Sequence, residues 1–298
     1  MTTRQILDAS IEFILRSALH GYGVLMLGFP RLITTSILLA AFALANNSGV
    51  AHTREAQHRS LDGKRAALEA NIRKAAAAEY PGLDRDPYFD ATARAIGQIH
   101  REDFVPADLK SLADRATPLP IGYDQTISDP YIVAIMSAVA RVSAGSNVLE
   151  IGTGSGYQAA VLSVLGAHIH SIEIVPELAK SAAARLKKLH YSRISIKSGD
   201  GFEGWTEFGP YDAIIVTAGA AAVPPALMAQ LKTGGHLVMP IGASGASERL
   251  EVLVKQQDGA LTHCSLGPVV FVPLTGRGVR TPSTAQTHGQ LVPDCYPR

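Results

Sequence analysis

Between Asn147 and Ile241, short apolar runs alternate strictly with helix-patterned segments, and this alternation leaves the chain very few architectures. Strands are expected at Asn147 to Gly152, His168 to Ile174, Arg193 to Ser198, Tyr211 to Thr217 and His236 to Ile241. Helices are expected up to Gly166, from Pro176 to His190 and near Val223 to Leu231. Strands that are apolar almost throughout must be covered on both faces, which calls for a parallel sheet between two helical layers. Arg249 to Gln256 and Leu261 to Leu266 follow with no helix pattern between them and predict an antiparallel edge. The fold class is therefore α/β, a doubly wound and mostly parallel sheet with an antiparallel edge.

Upstream of the sheet, Leu61 to Tyr80 is Ala-rich with apolar residues at helical spacing, stopped by Pro81-Gly82, and Phe89 to His100 repeats the pattern. Both belong to an N-terminal helical extension. Thr117 to Ser128 carries Pro118, Pro120 and Gly122, which excludes helix or a central strand and predicts a structured loop. Pro130 suits the first turn of a helix running to about Arg141, with Ser128 or Asp129 as N-cap.

The front of the chain has a different character. Residues 1 to 51 carry only Arg4, Asp8, Glu12, Arg16 and Arg31 as charges, and Leu32 to Ala45 is an uncharged apolar run. Its length matches the apolar core of a signal peptide and is short for a span, and Ala43-Leu44-Ala45 fits the small-x-small cleavage rule. Translation from Met26 would give it a short leading region with Arg31 as its charge. A buried or docking helix is the competing reading. The expected division is residues 1–59 as a signal-like or membrane-tethering segment, 60–280 as the folded domain with its N-terminal helices, and 281–298 as a loose tail.

Composition bounds the partners. With 27 Lys+Arg against 26 Asp+Glu the net charge is +1, and there is no aromatic-basic stripe, so nucleic acid is not an expected partner. Membrane contact is expected only through the front segment if it is uncleaved. Cys264 and Cys295 are too few for a disulfide scaffold or a thiolate metal site and read as ordinary thiols; no metal is expected.

The chemistry is concentrated at strand ends. The first strand runs into Glu150-Ile151-Gly152-Thr153-Gly154-Ser155-Gly156 with a helix directly after it. Glycines there let backbone amides approach a ligand at a helix N-terminus above the sheet. A dinucleotide loop would need glycine where Tyr157 stands; ExGxGxG with an acid closing the strand suits S-adenosylmethionine better. Glu173 closes the second strand and can take the two ribose hydroxyls of a nucleoside. Asp200, in Gly199-Asp200-Gly201, can accept from an adenine amino group. Each acid alone reads as a solvated strand-end residue; together they outline a nucleoside site.

Other signals are weaker. His168 and His170 share a strand face without a third ligand and read as structural. Gly242-Ala243-Ser244-Gly245-Ala246 lacks the closing glycine of a nucleophile elbow. Arg185, Lys187 and Lys188 read as the solvated, dipole-matched end of a helix.

Five segments carry a resemblance: LPIGYDQTISDPYIVAIM (Leu119 to Met136), VLEIGTGSGYQAAVL (Val148 to Leu162), GDGFEGW (Gly199 to Trp205), YDAIIVTAGAAAVPPALMAQLKTGGHLVMPIG (Tyr211 to Gly242) and FVPLT (Phe271 to Thr275). From about Arg94 to Thr275 the chain resembles the protein L-isoaspartate O-methyltransferases. The resemblance implies a Rossmann-like methyltransferase sheet and methyl transfer from S-adenosylmethionine to the α-carboxylate of L-isoaspartyl residues in damaged proteins. The ester would then close to a succinimide, which hydrolyses in part to normal aspartate. It also implies a cytoplasmic location, against the export or tethering suggested by Leu32 to Ala45.

By the same resemblance the active-site serine falls on Ser128. Cofactor contacts fall on Thr126, Ile127, the loop Gly152 to Gly156, Glu173, Asp200, Gly201 and Thr275. The front end, the tail from Arg280 and Asp124 depart from the family pattern, Asp124 occupying a loop position where bacterial members usually have glycine. Its charge bears on substrate affinity.

A carboxylate is already ionised at neutral pH, so the absence of a compelling His or Lys base fits this reaction. Two other readings compete with it. One is a class I methyltransferase of another carboxylate or small molecule; the other is a non-catalytic module that binds isoaspartyl peptide or cofactor, which would be free to lose the glycine loop, Asp200 and Ser128.

Overall fold

A computed structural model describes residues 62–242 and 248–276 and the backbone of Gln290–Leu291. The chain divides into the units Met1–Arg59 and Ser60–Arg298, and the architecture described is that of the second. Leu32 to Ala45, Arg280 and Cys295 lie outside the described residues.

Eight strands form one sheet in the order β10-β9-β8-β7-β6-β3-β4-β5, where β3 is Asn147–Ile151, β4 His168–Glu173, β5 Ile194–Ser198, β6 Tyr211–Val216, β7 Leu231–Ile241, β8 Glu248–Lys255, β9 Leu261–Val269 and β10 Gln290–Leu291. β3, β4, β5, β6 and β7 pair in parallel, while β8 is antiparallel to both β7 and β9. The expected doubly wound sheet with an antiparallel edge is present. In the segment expected to be loose, β10 pairs in parallel with β9 at Thr262 and His263.

Alternation along single strands explains why they are apolar throughout. Val148 of β3 and Ala213 and Ile215 of β6 join one buried cluster; Leu149, Ile151, Ile214 and Val216 join the other. Successive side chains point to opposite faces, so both faces need apolar residues and both need helices. The first face is covered by α1 (62–79), α2 (Pro87–Gln98), α3 (Pro130–Val139) and α4 (Tyr157–Val164). In α1, Leu68, Ile72 and Ala76 recur every fourth residue and are buried. α5 is Pro176–Lys188; α6 (Pro225–Gln230), shorter than expected, sends Leu227 into the second cluster.

Local chemistry sets the helix starts. Asp86 caps α2 by accepting from Tyr88 N at 2.8 Å, with Pro87 at the first turn. Asp129, not Ser128, caps α3, accepting from Tyr131 N at 2.8 Å, which leaves Ser128 outside the helix.

The segment expected to be a structured loop is a small hairpin of β1 (Leu119–Gly122) and β2 (Gln125–Ile127), forming a sheet of its own. Tyr123 and Asp124 make its two-residue turn with φ of 56° and 57°. Such mirror-image turns match strand twist but ordinarily draw on glycine or asparagine, so Tyr-Asp concealed the hairpin.

Cys264 on β9 is disulfide-bonded, where an ordinary thiol was expected, and Cys295 is the only other cysteine of the chain.

Candidate active site

The chain leaves β3 for β4 and β5 on one side and later returns to place β6 on the other. The carboxyl ends of β3 and β6 therefore flank the topological switch point, where open α/β sheets bind ligands. A cleft of about 270 Å³ opens there.

Its floor is the loop after β3. Gly152, Gly154 and Gly156 have φ of 95°, 53° and 88°. At Gly152 a side chain is excluded twice, because its Cβ would also stand 2.4 Å from Thr217 Oγ1. The Thr217 hydroxyl lies within hydrogen-bonding distance of the carbonyls of Ile151 (3.0 Å) and Gly152 (2.8 Å), tying the loop to the end of β6. Arg185 donates to Ser155 O at 2.8 Å and is partly buried, so this residue is a loop anchor and not the solvated helix end expected of it.

The two strand-end acids have different environments. Glu173 lines the cleft; its carboxylate accepts from Gly154 N (2.8 Å) and Val175 N (3.0 Å), which leaves lone pairs on both oxygens for hydroxyl donors. Glu150 does not line the cleft and has no exposed surface. It accepts from the Ser171 hydroxyl, which in turn meets Thr153 Oγ1 at 2.6 Å, and its Oε1 has no partner. Burial pushes the Glu150 carboxyl up to about 8 and the Glu173 charge adds to that, with the Ser171 bond and the Ala159 backbone amide opposing.

Thr126, Ile127, Ser128 and Asp129 also line the cleft, delivered by β2 and the start of α3. The third wall is Val270–Thr275, held beside the end of β6 by Gly219 N to Val272 O (2.9 Å) and Leu274 N to Gly219 O (2.7 Å). Of the expected site residues, Thr126, Ile127, Ser128, Gly152, Thr153, Gly154, Ser155, Glu173, Gly201 and Thr275 line the one cleft. Gly156 starts α4 behind it, packed where a Cβ would stand 2.9 Å from Leu186 Cδ1. Asp200 caps the short turn Gly201–Glu203 through Phe202 N (3.0 Å) without lining the cleft.

Sequence reasoning passed over Tyr157 and Gln158, which line the cleft with the buried Tyr157 hydroxyl and Gln158 Oε1 unpartnered. It also passed over Arg101, bonded to Ser128 O at 2.9 Å. Lone residues of these types carry no spacing signal. His170 stacks on Phe208 at 4.1 Å between centroids, and among the described residues no cluster of His, Cys, Asp or Glu could hold a metal.

Charge decides what such a crevice accepts. Asp129 and Glu173 line it, no Lys, Arg or His among the described residues does, and the Gly154 amide is turned to a carboxylate. A diphosphate would meet repulsion, whereas a nucleoside with a cationic sulfonium and ammonium tail meets acceptors. This is the crevice of a class I S-adenosylmethionine-dependent methyltransferase.

The comparisons narrow the class. A family model described as protein-L-isoaspartate(D-aspartate) O-methyltransferase matches residues 87–279. The chain is 50% identical over 193 residues (65% of this chain, 82% of the relative) to protein-L-isoaspartate O-methyltransferase of Opitutus terrae. It is 44% identical over 241 residues (81% and 92%) to protein-L-isoaspartate O-methyltransferase 1 of Cupriavidus necator. A solved protein-L-isoaspartate O-methyltransferase superposes with a TM-score of 0.64 at 27% identity, covering 72% of this chain and 67% of that one. A Plasmodium falciparum structure titled as a putative member, in complex with S-adenosyl-L-homocysteine, shares the fold at TM-score 0.59 and 22% identity, covering 71% and 98%. The chain belongs to the protein-L-isoaspartate(D-aspartate) O-methyltransferase family.

Proposed function

We propose that the cleft carries out its family's reaction with Ser128 holding the accepting carboxylate. The protein methylates the α-carboxylate of L-isoaspartyl residues in damaged proteins, using S-adenosylmethionine. When bound, that cofactor supplies an electrophilic methyl group on a sulfonium. Glu173, the Gly152–Ser155 segment, Thr126, Ile127, Gly201 and Thr275 would hold it, and the unpartnered Gln158 Oε1 and the lone pairs of Glu173 are acceptors suited to its hydroxyl and ammonium groups. Glu150 and Asp200 shape the loops behind these contacts.

The observation that carries the reading is the position of Ser128. It lines the same cleft as the glycine loop, just ahead of the Asp129 cap. A substrate carboxylate there is already ionised, so no proton has to be taken from it. The chain's task is alignment and water exclusion: the Ser128 hydroxyl can donate to one carboxylate oxygen while the other faces the methyl group, and Ile127, Val133, Ile151 and Val272 keep the surroundings apolar. Labelled-methyl transfer to two peptides differing only in Asp versus isoAsp tests this. Label confined to the isoAsp peptide is expected, and equal or absent labelling overturns it.

Location follows a second observation. Disulfides persist in oxidising compartments, and the one at Cys264 joins the signal-like Leu32 to Ala45 in favouring export over a cytoplasmic site. No helix among the described residues is long and apolar enough to cross a membrane. Membrane contact, if any, falls to the front segment, and the near-neutral charge disfavours nucleic acid as partner. An intact N-terminus with reduced cysteines in the cytosolic fraction would refute export.

A further inference from the structure

Arg101 has no part in the reading so far. It begins the short turn Arg101–Asp103 after α2 and has no exposed surface. Its guanidinium donates to four backbone carbonyls: Nη1 to Ala113 (2.6 Å) and Arg115 (3.3 Å), Nη2 to Thr117 (3.0 Å) and Ser128 (2.9 Å). The Tyr157 ring centroid lies 5.7 Å from it. Among the described residues no carboxylate reaches ion-pair distance of Arg101.

A buried cation is ordinarily paired with an anion, because carbonyls and a ring face do not cancel its charge; among the described residues the buried Nε of Arg101 also has no hydrogen-bond partner. Two acids act on it through space, Asp129 and Asp114. Asp129 lines the cleft and its Oδ1 is committed to capping α3. A substrate carboxylate brought to Ser128 therefore enters a cleft that already holds Asp129 and Glu173 and that no cation among the described residues lines. Arg185 is tied to the glycine loop; Arg101 is the cation bonded to the Ser128 segment itself.

We propose that Arg101 is the positioning residue for the accepting carboxylate, fixing Ser128 through its carbonyl and offsetting the charge of Asp129 so that an anion can occupy the cleft. The inference rests on the isoaspartyl reading above and adds the source of the site's tolerance for its anionic substrate. The geometry assigns both parts to one group: the clamp joins Ala113, Arg115 and Thr117, ahead of the hairpin, to Ser128 after it, and the charge sits directly behind the serine.

The test compares binding of an isoaspartyl peptide with the same peptide carrying a neutral α-carboxamide, in wild type, Arg101→Met, Arg101→Lys and Asp129→Asn. Arg101→Met should raise KM for the isoaspartyl peptide and shrink the carboxylate-over-carboxamide preference by about tenfold or more, with S-adenosylmethionine affinity within about twofold. Arg101→Lys should keep most of the preference but lower kcat, since an ammonium cannot span four carbonyls. Asp129→Asn keeps a competent cap, removes the opposing charge and should enlarge the preference even if Arg101→Met fails to fold.

A preference unchanged in Arg101→Met, or one lost in folded Arg101→Lys, overturns the proposal, as does an Asp129→Asn variant indifferent to the carboxylate. Wild type that fails to distinguish isoAsp from Asp peptide would instead sink the isoaspartyl reading, so the two failures are separable.

Discussion

Glu150 is the place where burial and ionisation conflict most sharply, and replacing it by Gln should change how stability depends on pH. Burial raises its carboxyl from the ordinary 4.5 to about 8. Between those values the native state keeps a proton that the unfolded chain releases, so stability falls with rising pH by about 1.4 kcal/mol per unit. At pH 7 the accumulated loss is roughly 3 kcal/mol, an order-of-magnitude figure for a fully buried group. Glu150→Gln abolishes that slope. Its amide can still accept from Ser171, but the NH2 group would occupy the place of Oε1, which has no partner, at a pH-independent cost of about 1–3 kcal/mol. The variant should be the less stable protein near pH 4.5 and the more stable one near pH 8, with the curves crossing between about pH 5 and 7. Urea denaturation of both proteins at half-unit steps from pH 4.5 to 8 measures the gap. A gap that stays constant with pH would refute a neutral, buried Glu150.

Three further outcomes are expected. Gly152→Ala places a Cβ against Thr217 Oγ1 on a backbone with φ of 95°, and should lose about 1–3 kcal/mol along with most S-adenosylmethionine affinity; calorimetry giving wild-type values would contradict the loop assignment. Ser128→Ala should lower turnover while leaving cofactor affinity nearly unchanged, because a positioning contact acts on reacting geometry, and intact-mass analysis should find no methylated wild-type enzyme. Asp124→Gly removes an exposed charge from the hairpin turn at a φ of 57°, and should lower KM for isoaspartyl peptide at low salt with the advantage fading as ionic strength rises; a salt-independent change would point to loop geometry instead.

The strand-helix alternation and the apolar run of each strand determined the sheet on their own, since a strand buried on two faces has no other way to satisfy both. The glycine loop and Glu173 were legible for a related reason: positive φ values and strand-end acids leave their mark at fixed spacing in a short stretch of chain. Ser128 was reached only through the family resemblance of Leu119 to Met136. The helix start at Asp129 was legible to within one residue, and the backbone decided between it and Ser128.

Contacts between distant segments were not legible. Glu150 and Glu173 look alike as strand-end acids, yet one faces the cleft and the other lies behind it beneath Ser171 and Thr153. Arg185 reads as a solvated helix end until Ser155 O is seen within its reach, and Arg101 reads as one of many surface arginines until four carbonyls from 12 to 27 residues away converge on it. Periodicity encodes which face of an element is buried, because that repeats along the chain. What a single polar side chain meets there depends on how non-adjacent segments fold back on one another, and only the tertiary structure decides that.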